Sequence, residues 1–288
     1  MKKILILLSS VILSTTSYSQ SSVLWEIKGN GLTSTSYIFG TLKFIGEKEF
    51  TFPKVAAEKM KASKVFAIED QIDHHAQHEL NQALHFPKGQ SLATQLSSEE
   101  YKKVHGFFLK EFGITKQAFD SKYGKIKPLA LSILMTRLTL KEKVKFYDME
   151  LLVFAKKNKL SVFSLESIDR EAQAINAYPI YNQVKALLHS IDNFEVQKAE
   201  FKNMMERYPQ ESLEEIFEYT LHPVENNPLF IEEFYFKRNI EWMPKLEKMM
   251  KENPSFIAVG VSHLEGEKGL LELLKEKGYT LTPLPVTK

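Results

Sequence analysis

The sequence predicts an α/β fold with a mainly parallel sheet, crossover helices and a large helical insertion, and three observations carry that expectation. Short apolar strand segments alternate with helical stretches through the first half of the chain. The stretch from Phe256 to Leu284 reads strand, helix, strand at the spacing of a parallel crossover unit. From about Glu171 to Lys251 nearly everything has helical periodicity.

At the start of the chain, Lys2 and Lys3 precede an apolar run from Ile4 to Leu13, broken only by Ser9 and Ser10. Small and polar residues from Ser14 to Ser19 follow, which completes the three parts of a secretory signal peptide. The run is too short to cross a bilayer core, which takes about 20 apolar residues. The expectation is a signal peptide over 1–19 and one domain over 20–288, exported to the periplasm or secreted. With no cysteine, a lipid-anchored signal, disulfides and thiolate metal sites are all excluded. Apolar residues at 43% and charged residues at 26% are ordinary for a globular chain. The formal charge of +2 includes Lys2 and Lys3, so the rest is neutral, with no basic block to attract nucleic acid. No membrane span is expected after signal removal.

In the domain itself, Val23 to Ile27 and Ser36 to Phe39 read as strands joined by the turn formers Gly29-Asn30-Gly31. Val65 to Ile68 is a short buried strand. Ser97 to Glu100 forms a capping box opening a helix with Tyr101, Val104, Phe107, Phe108 and Phe112 on one face, closed by Gly113. Pro128 starts a helix through Leu140, and another runs from Met149 to Asn158 before a strand from Ser161 to Leu165. Asn227-Pro228 starts a helix bearing Phe230, Phe234 and Trp242, which Pro244 should kink or end. Phe256 to Val259, Gly266 to Lys277 and Tyr279 to Leu284 complete the chain, with Gly278 as the last helix cap.

Four strands end in polar residues: Lys43 shortly after Thr41, Glu69-Asp70 after Ile68, Glu166 after Leu165, and His263 after Gly260. Ligands of open parallel sheets bind beyond the carboxyl ends of the strands, so neighbouring strands would bring these groups to one rim. A strand must end somewhere, and polar residues are common where it does. Gly40-Thr41-Leu42-Lys43 and Gly260-Val261-Ser262-His263 share one design, a glycine at the strand exit and a functional group three residues on. A neutral imidazole at His263 could ligate a metal or act as a base. His74, His75 and His78 also follow closely, and His74 and His78 would sit one helical turn apart. Two histidines alone seldom close a metal site, and the polar stretch Gln71 to His85 reads as a solvated helix or loop. No phosphate loop, Gly-x-Ser-x-Gly elbow or His-Glu-x-x-His helix occurs.

In order along the chain stand Leu24-Trp25-Glu26-Ile27-Lys28-Gly29, Ser36-Tyr37-Ile38-Phe39-Gly40-Thr41, Glu69, and Lys127-Pro128-Leu129-Ala130-Leu131. Asp148, Leu165-Glu166, Arg238-Asn239 with Trp242, and Gly260-Val261-Ser262-His263 follow, then Gly266, Gly269, Leu274, Gly278-Tyr279 and Pro283. This ordered set resembles the TraB/GumN family, whose relatives include the Tiki metallopeptidases. The resemblance implies two Gly-x-x-His motifs and an acidic residue holding a divalent metal (Mn²⁺, Co²⁺ or Zn²⁺) for peptide hydrolysis. His263 and Glu69 match the metal positions, and Glu166 and Arg238 match residues of the active rim, with Asp70 and Asn239 as neighbouring binding residues. An arginine fork there would suit a substrate carboxylate. The first motif carries Lys43 instead of histidine, and an ammonium with a reference pKa of about 10.4 repels a metal ion. Lys43 is therefore expected to pair with Glu69 and fill the site. Two readings stay open: a metal-dependent peptidase with an impaired site, or a non-catalytic protein binding a peptide or envelope partner in the same crevice.

Overall fold

Eight strands form in chain order: β1 (Leu24–Gly29), β2 (Ser36–Thr41), β3 (Ile45–Gly46), β4 (Val65–Ile68), β5 (Val144–Lys145), β6 (Ser161–Ser164), β7 (Ser255–Gly260) and β8 (Tyr279–Pro283). They belong to a computed structural model that describes residues 22–70, 74–140, 143–210, 212–220 and 227–286. The signal-peptide expectation over 1–19 lies outside those residues. Six strands make one sheet in the order β6-β4-β7-β2-β1-β8, and β3 pairs with β5 in a small second sheet. The pairs β6–β4, β4–β7 and β7–β2 are parallel, whereas β1 runs antiparallel to both β2 and β8. The α/β expectation thus stands, with a mainly parallel mixed sheet.

Local chemistry explains the joints. Between β1 and β2 the chain reverses through Gly29, Asn30 and Gly31, all with positive φ, which glycine and asparagine adopt most readily. Helix Ser98–Phe112 opens on the Ser97/Glu100 capping box and closes on Gly113 at φ 68°. β7 and β8 are joined through helix Leu270–Glu276 and run parallel, as the crossover spacing predicts, but β2 and β1 lie between them. Pro244 does not end its helix, which continues from Lys237 to Glu252. Pro244 is exposed while Trp242, Met243, Leu246, Met249 and Met250 are buried, so the missing N–H bond falls on the solvent side.

The central strands are buried throughout: every residue of β2 and β4 is inaccessible or nearly so. Their side chains share one core with helices Lys54–Lys61, Tyr147–Lys157, Lys237–Glu252 and Leu270–Glu276. A second core, built on Leu92, Phe108, Phe119, Leu131 and Leu187, lies within the helical portion. The helical addition therefore comes in two sequence pieces that pack together, one before β5 and one after β6. Among the described residues no helix is long and apolar enough to cross a membrane.

Candidate functional site

The sheet order makes β6, β4, β7 and β2 neighbours, so Glu166, Glu69, His263 and Lys43 all emerge at the same edge of the sheet. Two glycines allow the elements there to come close. A Cβ on Gly40 would sit 2.8 Å from Leu264 Cδ1 and 3.2 Å from Val261 Cα, and one on Gly260 would lie 3.2 Å from Glu69 Oε1. The glycines of both motifs thus serve close approach, since φ at Gly260 is an ordinary −51°. Gly40→Ala is expected to lower stability by about 1–3 kcal/mol through overpacking. Gly106→Ala, on a helix with open space around the added methyl, should raise it by up to about 1 kcal/mol. Urea unfolding of both variants checks the pair.

Arg238 is the centre of the site, and it is 0% exposed. Its Nε donates to Glu166 Oε1 at 2.9 Å and Nη2 to the same oxygen at 2.6 Å, while Nη2 also reaches Glu69 Oε2 at 3.1 Å. Its Nη1 donates to the carbonyl of Phe234 at 3.0 Å and lies 3.2 Å from His263 Nε2. Trp242 Nε1 donates to Glu166 Oε2 at 3.0 Å, and the indole ring and Phe234 both lie against the guanidinium. Immediately before this helix the chain winds as a π-helix, Ile231–Phe236, which carries Phe234 and Tyr235. Tyr235 meets the His263 ring edge-on at 5.0 Å and Trp242 covers it at 4.5 Å.

The hydrogen-bond partners assign the His263 tautomer. Nδ1 lies 2.6 Å from Asn239 Oδ1, while Asn239 Nδ2 donates to the carbonyls of His263 and Lys268. The Asn239 oxygen therefore accepts, Nδ1 carries the proton, and the Nε2 lone pair faces Arg238 Nη1. Burial, reinforced by the Arg238 charge, pushes the His263 pKa down to about 3 against the opposing pull of Glu69. Burial also opposes ionisation of Glu69, but His263, Arg238, Lys43 and the Gly260 N–H together hold it down at about 2. Because His263 is neutral above about 3, Arg238 is the buried cation that keeps Glu69 charged at neutral pH. Burial raises the Glu166 pKa from its ordinary value despite the Arg238 fork.

Lys43 pairs differently from expectation. Its ammonium stands 3.6 Å from Glu171 Oε1, and the cation bonded to Glu69 is Arg238. The Lys43 side chain is 61% exposed, and Glu171, Asp70, Glu69 and Asp148 hold its pKa above the ordinary value. Glu171 itself is buried on helix Ile168–Ala177 beside Ile168, Ala174 and Ile175. Burial and the neighbouring Glu171 carboxylate push the Asp70 pKa well above its ordinary value. Asp148 accepts from Thr41 Oγ1 at 3.2 Å, and burial followed by the Glu69 charge pushes it up to about 7.

Of the residues named from the sequence, Glu69, Glu166, Arg238, Asn239 and His263 form one bonded network, with Lys43 and Asp70 beside it. Asn239 holds the imidazole, and the Arg238 fork faces the protein's own carboxylates. His78 is exposed and bonds Gln82 within helix His74–Ala83, while the side chains of His74 and His75 lie outside the described residues. Glu171 and Tyr235 were missed, as were the placing of Asp148 beside Thr41 and the covering role of Trp242. Glu171 had a signal, an acid at a core position of a helical apolar stripe. As arranged, the donor set does not fit a divalent cation. The His263 lone pair faces a guanidinium, both Glu69 oxygens accept N–H groups, and the first motif presents an ammonium.

No curated protein and no solved structure matches the chain. A family model described as the TraB/PrgY/gumN family matches residues 23–283, nearly the whole chain and every element of this site, and the chain belongs to that family.

Proposed function

We propose that this chain is an exported, non-catalytic member of its family that binds a peptide or another envelope ligand at the rim formed by β2, β7, β4 and β6. The observation that carries the reading is the engagement of Arg238. One fully buried guanidinium takes up Glu69 and Glu166 and faces His263 Nε2, and it fills with fixed charge the space that donor groups would need for a metal. Export rests on the pattern of residues 1–19. A ligand at this rim would meet the exposed Lys43 ammonium and the half-buried Asp70 first, which suits the mixed charges and amide groups of a peptide.

The metal-dependent peptidase reading keeps one supporting observation, that Glu69, Glu166 and His263 stand together on one rim. Calorimetric titration of the purified protein with Mn²⁺, Co²⁺ and Zn²⁺ separates the two. No binding is expected for the unmodified protein or for Lys43→His, because Arg238 still engages Glu69 and His263 in both. Tight binding by the unmodified protein that His263→Ala abolishes would overturn the proposal, and hydrolysis of a peptide library should then be measured.

A further inference from the structure

The rim is not the only feature that invites a partner. β6 is the last strand in the sheet order, so one of its sides pairs with β4 and the other pairs with nothing in the sheet. Ser161 donates its N–H to Lys64 O and Leu165 donates to Ile68 O. Strand alternation then turns the N–H and C=O groups of Val162 and Ser164 away from β4. Among the described residues the strand is left open: Val162 is 42% exposed and Phe163 37%. Val153, on the helix that leads into β6, adds a further exposed aliphatic side chain at 62%.

The charges in the two segments that lead into β4 and β6 have one sign. Lys61 and Lys64 precede β4, Lys156, Lys157 and Lys159 precede β6, and all five are exposed. No acidic residue occurs in 59–68 or in 151–165, and none of the five lysines has an ion-pair partner among the described residues. Lysines beside an edge strand ordinarily discourage pairing with a second copy, because two such edges bring like charges together. They do not discourage an acidic strand, and the exposed valine and phenylalanine are what a merely protected edge would omit.

We propose that the open edge of β6 docks an extended acidic segment of a partner protein, which adds to the sheet as a further strand. Its backbone would pair with Val162 and Ser164, its apolar side chains would cover Val162 and Phe163, and its carboxylates would face the lysines. A nucleic acid or an anionic lipid surface would satisfy the lysines alone, leaving the outward backbone groups and the apolar side chains without a matching partner. The site is separate from the rim and does not depend on what the rim binds.

The test uses the full chain and a fluorescein-labelled peptide, acetyl-Glu-Val-Glu-Val-Glu-Val-amide, followed by fluorescence anisotropy. Saturable binding is expected, weakened about tenfold or more by raised salt and by the triple variant Lys156→Glu/Lys157→Glu/Lys159→Glu. Val162→Pro, which removes an outward N–H without touching the ladder to β4, should abolish it. Amide exchange of the unmodified protein gives an independent reading if that variant does not fold. On peptide addition, Val162 and Ser164 should gain protection while the already bonded Phe163 changes little. The proposal is overturned if the peptide with lysine in place of glutamate binds equally well. It is also overturned if Val162 and Ser164 gain no protection, or if an oligonucleotide or phosphatidylserine vesicle binds these lysines while the peptide does not.

Discussion

Arg238→Met is expected to lower the free energy of unfolding by about 3–5 kcal/mol, the largest effect of any single change at the rim. The side chain is fully buried, and its removal strands two carboxylates. Glu166 would keep one donor, Trp242 Nε1, and Glu69 would keep the Gly260 N–H, so each retains part of its hydrogen bonding but loses its counter-charge. Arg238→Lys preserves the charge without the planar fork that spans Glu166 and Glu69, and it should recover only a minor part of the loss. Adding Glu166→Gln to Arg238→Met should recover part of the loss, because one of the two stranded charges disappears with its partner. Guanidinium unfolding of the unmodified protein, these three variants and Glu166→Gln alone checks this, and simple additivity of Arg238→Met and Glu166→Gln would contradict the network.

Asp148→Asn is expected to stabilise the protein at pH 8 and to lose that advantage by about pH 4. The sign follows from linkage. Asp148 is held protonated up to about 7 in the folded protein, against an ordinary 3.8, so folding takes up a proton between those values. The stability this contributes is complete below about 4 and is lost as the pH rises through about 7, at up to about 1.4 kcal/mol per pH unit. Asparagine keeps the oxygen that Thr41 donates to and cannot ionise. His263 and Glu69 act in the opposite direction. Neutral His263 resists protonation down to about 3 and Glu69 down to about 2, whereas their unfolded forms protonate near 6.5 and 4.5. Both therefore make the fold weaker as the pH falls below those values. Thermal melts of the unmodified protein should show a maximum in mildly acidic solution, and Asp148→Asn should move it upward in pH.

Much of this site is visible in the sequence because strand ends are. Lys43, Glu69, Glu166 and His263 each follow a short apolar run, and a parallel sheet brings such positions to one edge whatever the helices between them do. What spacing does not give is the direction a long side chain takes once it leaves the strand. Lys43 reaches Glu171 on helix Ile168–Ala177, because Glu69 is already held by Arg238 and the Gly260 N–H. The π-helical turn that sets Phe234 and Tyr235 against Arg238 and His263 leaves no periodic mark, since its residues are apolar and charged in an order an α-helix would also accept. Asp148 stood among the residues of the family resemblance, yet only the folded chain brings it beside Thr41 and the Glu69 charge. The exposure of β6 is equally hidden, because Val-Phe reads the same in a central strand and at an edge.

The proposed function turns on the imidazole of His263 being neutral, with its free lone pair engaged by Arg238 instead of a metal. Nitrogen-15 NMR of histidine-labelled protein measures this directly. One histidine is expected with the proton on Nδ1 and a hydrogen-bonded Nε2, untitrated from pH 8 down to about 4 and unmoved by added Zn²⁺. A His263 resonance that titrates near 6.5, or an Nε2 signal that shifts on addition of Zn²⁺, would contradict it.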